Sequence, residues 1–335
     1  MKNKVIFLII LSLCLPCFTF AENKEAYIRR AMMDITLDRL ERQQRSSHRL
    51  VKNLPDEYKK IVEDNEEKPD VLPQAALLSK KEPFVNKGWE FGTEISHITY
   101  KEPDVMREKG VMLGTTGAYT YYGLLPSSYM SDDKCIMLRG EARYSGGLVD
   151  YKNSGTINDI RDYMVEARGL AGYVFGSLTD FSVTPYLGFG YRYLNDDTSG
   201  KVSSTGALGY ERESNYYYSP IGAEMLWDIN NSWLIGTTLE YDYFWGGKQI
   251  SHLSDVNRGF SDLKNDQHSG HGLRGSLKVL KKLDYLDLFF EPFIRYWRVA
   301  QSKNTDVTYR GVIVGYGYEP KNNSTEIGMK LGARF

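Results

Sequence analysis

The chain has 335 residues, 42 basic and 43 acidic, with a formal net charge of −1 and a mean hydropathy of −0.44. A balance this even, with no polybasic patch, speaks against a nucleic-acid surface. Of its three cysteines, Cys14 and Cys17 sit in the first twenty residues, so Cys135 alone remains beyond them and no internal disulfide can form there.

Residues 1–21 read as a signal peptide for the Sec pathway. Lys2 and Lys4 give a basic start, residues 5–15 are apolar, Pro16 breaks the run, and Thr19-Phe20-Ala21 offers a small-residue cleavage site. The run is too short to span a bilayer as a helix. A lipoprotein reading fails locally, because Leu13 and Pro16 precede the two cysteines where a small residue is needed. Removing Lys2 and Lys4 with the signal leaves 40 basic against 43 acidic residues, a net charge of −3.

Residues 22–81 predict a short helical N-terminal segment in the periplasm. Ile28, Met32 and Ile35 share a helical face, with Leu40 near it, and the stripe then fades. Asn53 can cap a second short helix over 56–62, and residues 64–74 form a charged, proline-containing linker. The segment reads as a solvated helix or as an arm for a periplasmic partner.

From Trp89 onward the pattern changes to period two. Ten alternating stretches follow, each with one oily parity: Trp89, Phe91 and Ile95 in the first, and Tyr163, Val165, Ala167, Ala171, Tyr173 and Phe175 in the fourth. In the last, Ile327, Met329, Leu331, Ala333 and Phe335 alternate with Glu326, Gly328, Lys330, Gly332 and Arg334. Short turns near Asp180, Asn231 and Asp284 are 51 and 53 residues apart, and the chain ends 51 residues later. Longer loops are expected at 101–109, 146–160, 195–214, 246–266 and 299–322. Short turns on one side and long loops on the other, with no apolar helix, predict an all-β fold: an antiparallel up-and-down transmembrane β-barrel over residues 82–335. The 25 tyrosines suit aromatic girdles at the two membrane interfaces. Pro185 and Pro292, each near a strand start, are expected to mark rim bulges.

If the oily parity faces lipid, the other faces the lumen. It carries Glu90, Glu94, Glu141, Glu166, Glu224, Glu240, Asp242, Glu291 and Glu326, and also Arg139, Arg143, Arg168, Arg192, Arg274, Lys278, Arg295, Lys330 and Arg334. Acids and bases match one for one. Buried charges must be paired, so the interior is expected to be cross-linked, where a selective pore would show a biased ring. Ten strands also lie near the width that side chains fill.

The stretches Y-L-G-F-G-Y-R-Y-L-N-D-D (186–197), E-P-F-I-R-Y-W (291–297) and the ending E-I-G-M-K-L-G-A-R-F resemble those of bacterial outer-membrane β-barrel domain proteins, a porin-like group of Gram-negative bacteria. The terminal Phe335 on an alternating strand resembles their barrel-assembly signal. The resemblance covers about 88–335. It implies residence in the outer membrane among lipid and lipopolysaccharide, and contact with the barrel-assembly machinery. It implies no activity.

The catalytic search yields one weak candidate. Ten strands is also the count of the omptins, surface proteases that pair a D-x-D with a D-x-H. Asp266-Gln267-His268 supplies a D-x-H, but Asp150, Asp159 and Asp162 form no D-x-D. His268, Ser269 and His271 are adjacent in sequence, yet alternate residues of a strand face opposite sides, so they make no serine-hydrolase set. No metal spacing or cofactor motif is found. The leading expectation is a non-enzymatic cell-surface barrel whose loops meet an extracellular ligand or which has an envelope-structural role. The alternatives are a narrow porin-like channel and an omptin-like or lipid-modifying rim enzyme.

Overall fold

In the computed structural model, residues 88–124, 135–176, 180–230 and 232–335 are described below. The expected signal peptide at 1–21 and the expected helical segment at 22–81 lie outside them. Ten strands close on themselves: β1 (Gly88–Glu102), β2 (Met106–Leu124), β3 (Cys135–Lys152), β4 (Ile157–Gly176), β5 (Phe181–Asp197), β6 (Glu211–Asn230), β7 (Trp233–Ser251), β9 (Gly270–Lys282), β10 (Asp287–Val299) and β13 (Asn322–Arg334). Each pairs antiparallel with the next, and β13 returns to β1 from Glu90↔Arg334 to Lys101↔Asn323. The terminal Phe335 joins the seam, with backbone hydrogen bonds to and from Trp89 of 2.9 and 3.2 Å. Closure satisfies the backbone without a free edge, which is what a bilayer demands.

Three strands lie outside the ring. β8 (Leu263–Gln267) pairs with the outer end of β7. β11 (Thr305–Tyr309) and β12 (Val312–Gly317) form a hairpin in the last outward connection. Its turn is made by Arg310 at φ 49° and Gly311 at φ 81°. Two successive left-handed residues match the twist of a tight hairpin.

The expected loops were drawn too long. β1 and β2 meet at Pro103–Val105, so most of 101–109 is strand, and β3 runs on to Lys152. The strands reach 15–20 residues on much of the ring, well past the roughly 9–11 that cross a bilayer. The excess is an outward extension whose alternation continues with polar residues. The bulges expected at Pro185 and Pro292 are absent. Pro185↔Ala223 and Pro292↔Met329 sit in unbroken register. Instead, the ladder pairs opposite each proline on its other side are missing, toward β4 and β9. That fits a residue that has lost its donor on one side only.

The alternation sorts the side chains as the pattern implies. Phe91, Leu113, Leu187, Ile221, Leu239, Ile327 and Leu331 all lie on the exposed outer face. Trp89, Tyr119, Phe175, Phe181, Trp227 and Trp233 ring the end where the chain enters and leaves. Tyr144, Tyr217, Tyr241, Tyr243 and Trp245 ring the other. Glycines on the inner face make room for large lumen residues. A Cβ on Gly190 would lie 2.3 Å from the Tyr218 ring, and one on Gly332 would lie 2.5 Å from Phe289. Cys135 is buried, as expected for a lone thiol.

Candidate functional site: the charged lumen and its outer mouth

The lumen charges form three tiers of chords across the ring. In the lowest tier, Arg139 of β3 donates to both oxygens of Glu224 on β6, at 2.7 and 3.1 Å. Lys278 of β9 reaches Glu90 of β1 at 2.8 Å, and Lys330 reaches Glu291 at 3.2 Å. Arg334 of β13 binds Asp287 of the neighbouring β10 at 2.5 Å.

In the middle tier, Arg168 of β4 lies between Glu141 and Glu240, each at 2.5 Å. Arg274 of β9 has the most partners. It donates to Asp242 at 2.7 Å, to Glu166 at 2.5 and 3.0 Å and to the Tyr218 hydroxyl at 3.0 Å. Tyr218 in turn donates to Glu166 at 2.6 Å, and Tyr186 donates to Glu240 at 2.7 Å. In the third tier, Arg143 and Arg295 both bind Glu326, at 3.1 and 3.2 Å, and Arg295 also binds Glu94 at 3.1 Å. Ser96 donates to Glu326 at 2.9 Å. Arg192 has no carboxylate at hydrogen-bond distance here and lies over the rings of Trp297 and Tyr216, 5.5 and 6.0 Å from their centroids. Every charged residue expected in the lumen is therefore brought into it.

Many chords join strands three or four places apart on the ring: β3 to β6, β4 to β7, β3 to β13 and β4 to β9. Such pairs brace the barrel across its width. Their net stabilisation is modest, because desolvation offsets attraction, but breaking one strands its partner in a dry interior. A cavity of about 120 Å³ remains among them, lined by Arg139, Glu141, Tyr186, Glu240, Lys278 and Phe289 among others.

Above the tiers lies a cluster that the sequence pattern missed. Arg212 of β6 donates to Asp196 of β5 and to Glu102 of β1, both at 2.7 Å, and approaches Glu108 of β2 at 3.4 Å. Tyr100 donates to Glu102 at 3.2 Å and to Glu319 at 3.3 Å, tying the last outward connection to β1. Burial among neighbouring carboxylates pushes Glu319 up to about 7. All of these residues except Tyr100 lie within segments expected as loops, where the pattern carries no parity. The continuing alternation I-T-Y-K-E (98–102) was the available signal.

The candidate rim pair is not assembled into a site. Asp266 points outward from β8, exposed, with Lys248 at 3.9 Å, and His268 is also exposed. A different histidine is held in place. His252 Nδ1 lies 3.1 Å from Asp262, and its Nε2 lies 3.3 Å from Glu213. Partial burial alone would lower this imidazole, but the two carboxylates prevail and raise it above its ordinary value. Ser254 donates to the same Asp262 at 2.7 Å. The carboxylate thus separates serine from histidine, so the trio staples a loop and is not a proton relay, which needs serine bonded to the base. Among the described residues no group of three or more His, Cys, Asp or Glu side chains is arranged to hold a metal ion.

A closed ladder, an apolar belt between two aromatic girdles and a charged interior define a membrane-spanning β-barrel of the bacterial outer membrane. No protein-family model and no curated protein matches the chain. Similar solved structures include the outer membrane protease OmpT of Escherichia coli, 10% identical over 75% of this chain and 95% of that one, with a TM-score of 0.49. The toluene transporter TbuX of Ralstonia pickettii is 8% identical over 79% and 94%, with a TM-score of 0.31. The β domain of the Bordetella autotransporter BrkA is 11% identical over 73% and 99%, with a TM-score of 0.35.

Proposed function

We propose that this protein is a sealed, non-enzymatic outer-membrane scaffold that presents its outward loops for interaction. The observation that carries this reading is the set of charge pairs spanning the lumen, above all Arg274 with Glu166 and Arg168 with Glu240. A solute path would have to break them. The cavity of about 120 Å³ among them is small beside the roughly 300–1,000 Å³ of a pocket that holds a small molecule. The outward hairpin supports the interaction reading. Val312, Ile313, Val314, Tyr316 and Tyr318 are all at least half exposed there, an apolar display that suits a partner able to cover it.

The purified protein in a planar lipid bilayer tests this directly. No stepwise conductance is expected at any voltage the bilayer withstands. Reproducible unitary steps would replace the scaffold reading with a channel.

The hairpin gives a second check. Ile313→Ser with Tyr316→Ser should leave stability within about 0.5 kcal/mol, since exposed positions contribute little to folding. Denaturant titration in detergent reads this. A larger loss would mean the hairpin is packed against the barrel and is not a free display.

A further inference from the structure

At the outer mouth five buried carboxyls, Glu102, Glu108, Asp162, Asp196 and Glu319, surround one guanidinium, Arg212. Asp162 and Asp196 are directly opposed on β4 and β5, with their carboxyls within hydrogen-bonding reach. Both residues are at least nine-tenths buried, and among the described residues Asp162 Oδ1 and Asp196 Oδ1 have no hydrogen-bond donor. Arg212 engages only the other oxygen of Asp196. Two abutting carboxylates in a dry site cannot both be ionised at low cost, and the usual resolution is a proton held between them.

We propose that the outer mouth is a proton-held closure: one proton shared by Asp162 and Asp196 keeps the ends of β4 and β5 together, and its loss releases the connection over 198–210. That connection starts two residues beyond Asp196 and ends two before Arg212. Its base is clasped by Thr198, which donates to the Tyr210 carbonyl at 2.7 Å and accepts from the Tyr210 amide at 3.0 Å. Lys201 ties it to the start of β4 through the Asn158 carbonyl at 2.9 Å. Deprotonation places a second negative charge beside the first with no new cation in reach. The like charges then push apart the two strand ends on which the clasp rests.

Glu319 works in the same sense. Its carboxyl is raised to about 7, so its contribution to the closed mouth is present below the ordinary carboxylate range and is lost as pH rises through about 7. Tyr100 and Tyr210 are the other titratable groups against the cluster, and both are raised by burial, so they stay neutral across this range.

The test is limited proteolysis of the folded full-length protein in detergent at pH 6 and pH 9. Cleavage within 198–210 is normalised to an unstructured peptide at each pH. Wild type should be cut at least about tenfold faster at pH 9, since one proton linked to opening shifts the equilibrium about tenfold for each pH unit over which it is lost. Asp162→Asn should remove most of that difference, since its amide can donate to Asp196 permanently and only the part carried by Glu319 is left. Gel mobility before and after boiling confirms the fold. If Asp162→Asn does not fold, Asp196→Asn serves instead, because its amide oxygen still accepts from Arg212. Equal cleavage of wild type at the two pH values overturns the proposal. So does an undiminished pH response in the Asn variant, which would trace it to Glu319 or to the His252 staple.

Discussion

Arg274→Met should cost the barrel about 3–5 kcal/mol, the range for breaking a buried pair by removing one partner. The reason is local. Arg274 binds Glu166, Asp242 and the Tyr218 hydroxyl, and lies 3.1 Å from Glu240. Asp242 is fully buried, and its Oδ1 already lacks a partner. Methionine can fill the space between Tyr218 and Trp297 that the guanidinium now covers, so the loss reads charge more than volume. Denaturant titration of the protein in detergent micelles measures it. Adding Glu166→Gln should return part of the loss by removing one stranded charge. A cost below about 1 kcal/mol for Arg274→Met would mean water reaches this tier freely.

The opposite face carries the second large effect. Ile221→Arg places a cation near the middle of the lipid belt, between Tyr217 at the outer girdle and Trp227 at the inner one, and should destabilise the folded barrel by about 2–4 kcal/mol. Glu224, three residues away on the other parity, is buried at no such penalty because Arg139 meets it. The same strand therefore tolerates charge on one side only. Reversible unfolding in lipid vesicles reads the effect, and an unchanged free energy would remove Ile221 from the lipid belt.

These two residues also show what was legible in the sequence. Arg274 is expected in the lumen from parity alone, and Ile221, three residues before the lumen residue Glu224, falls by the same count on the lipid face, because a strand cannot place neighbours on one side. The same rule placed Phe335 outward and all the lumen charges inward. The partnering could not be read. Nothing in spacing says that Arg139 lies closer to Glu224 across the lumen, at 2.7 Å, than to its neighbour Glu141, at 3.9 Å, since that depends on barrel curvature and shear. The outer mouth was lost for a simpler reason. Asn195, Asp196 and Asp197 have loop composition, yet here they are strand, held by cross-strand pairs to Glu213, Arg212 and Glu211 that local propensity does not see. Pro185 and Pro292 misled in the other direction, since composition suggested a bulge and the ladder absorbed them in register.

The measurement that bears most directly on a sealed barrel is a spin-label scan along β6 from Ser219 to Trp227, in a Cys135→Ser background. Accessibility to lipid-soluble oxygen and to a water-soluble nickel chelate would be read in lipid vesicles. Positions 219, 221, 223, 225 and 227 should be open to oxygen, and 222, 224 and 226 closed to both reagents. Access of the nickel chelate to 222 and 224 would show a water-filled pore, and loss of the two-residue alternation would contradict the membrane barrel itself.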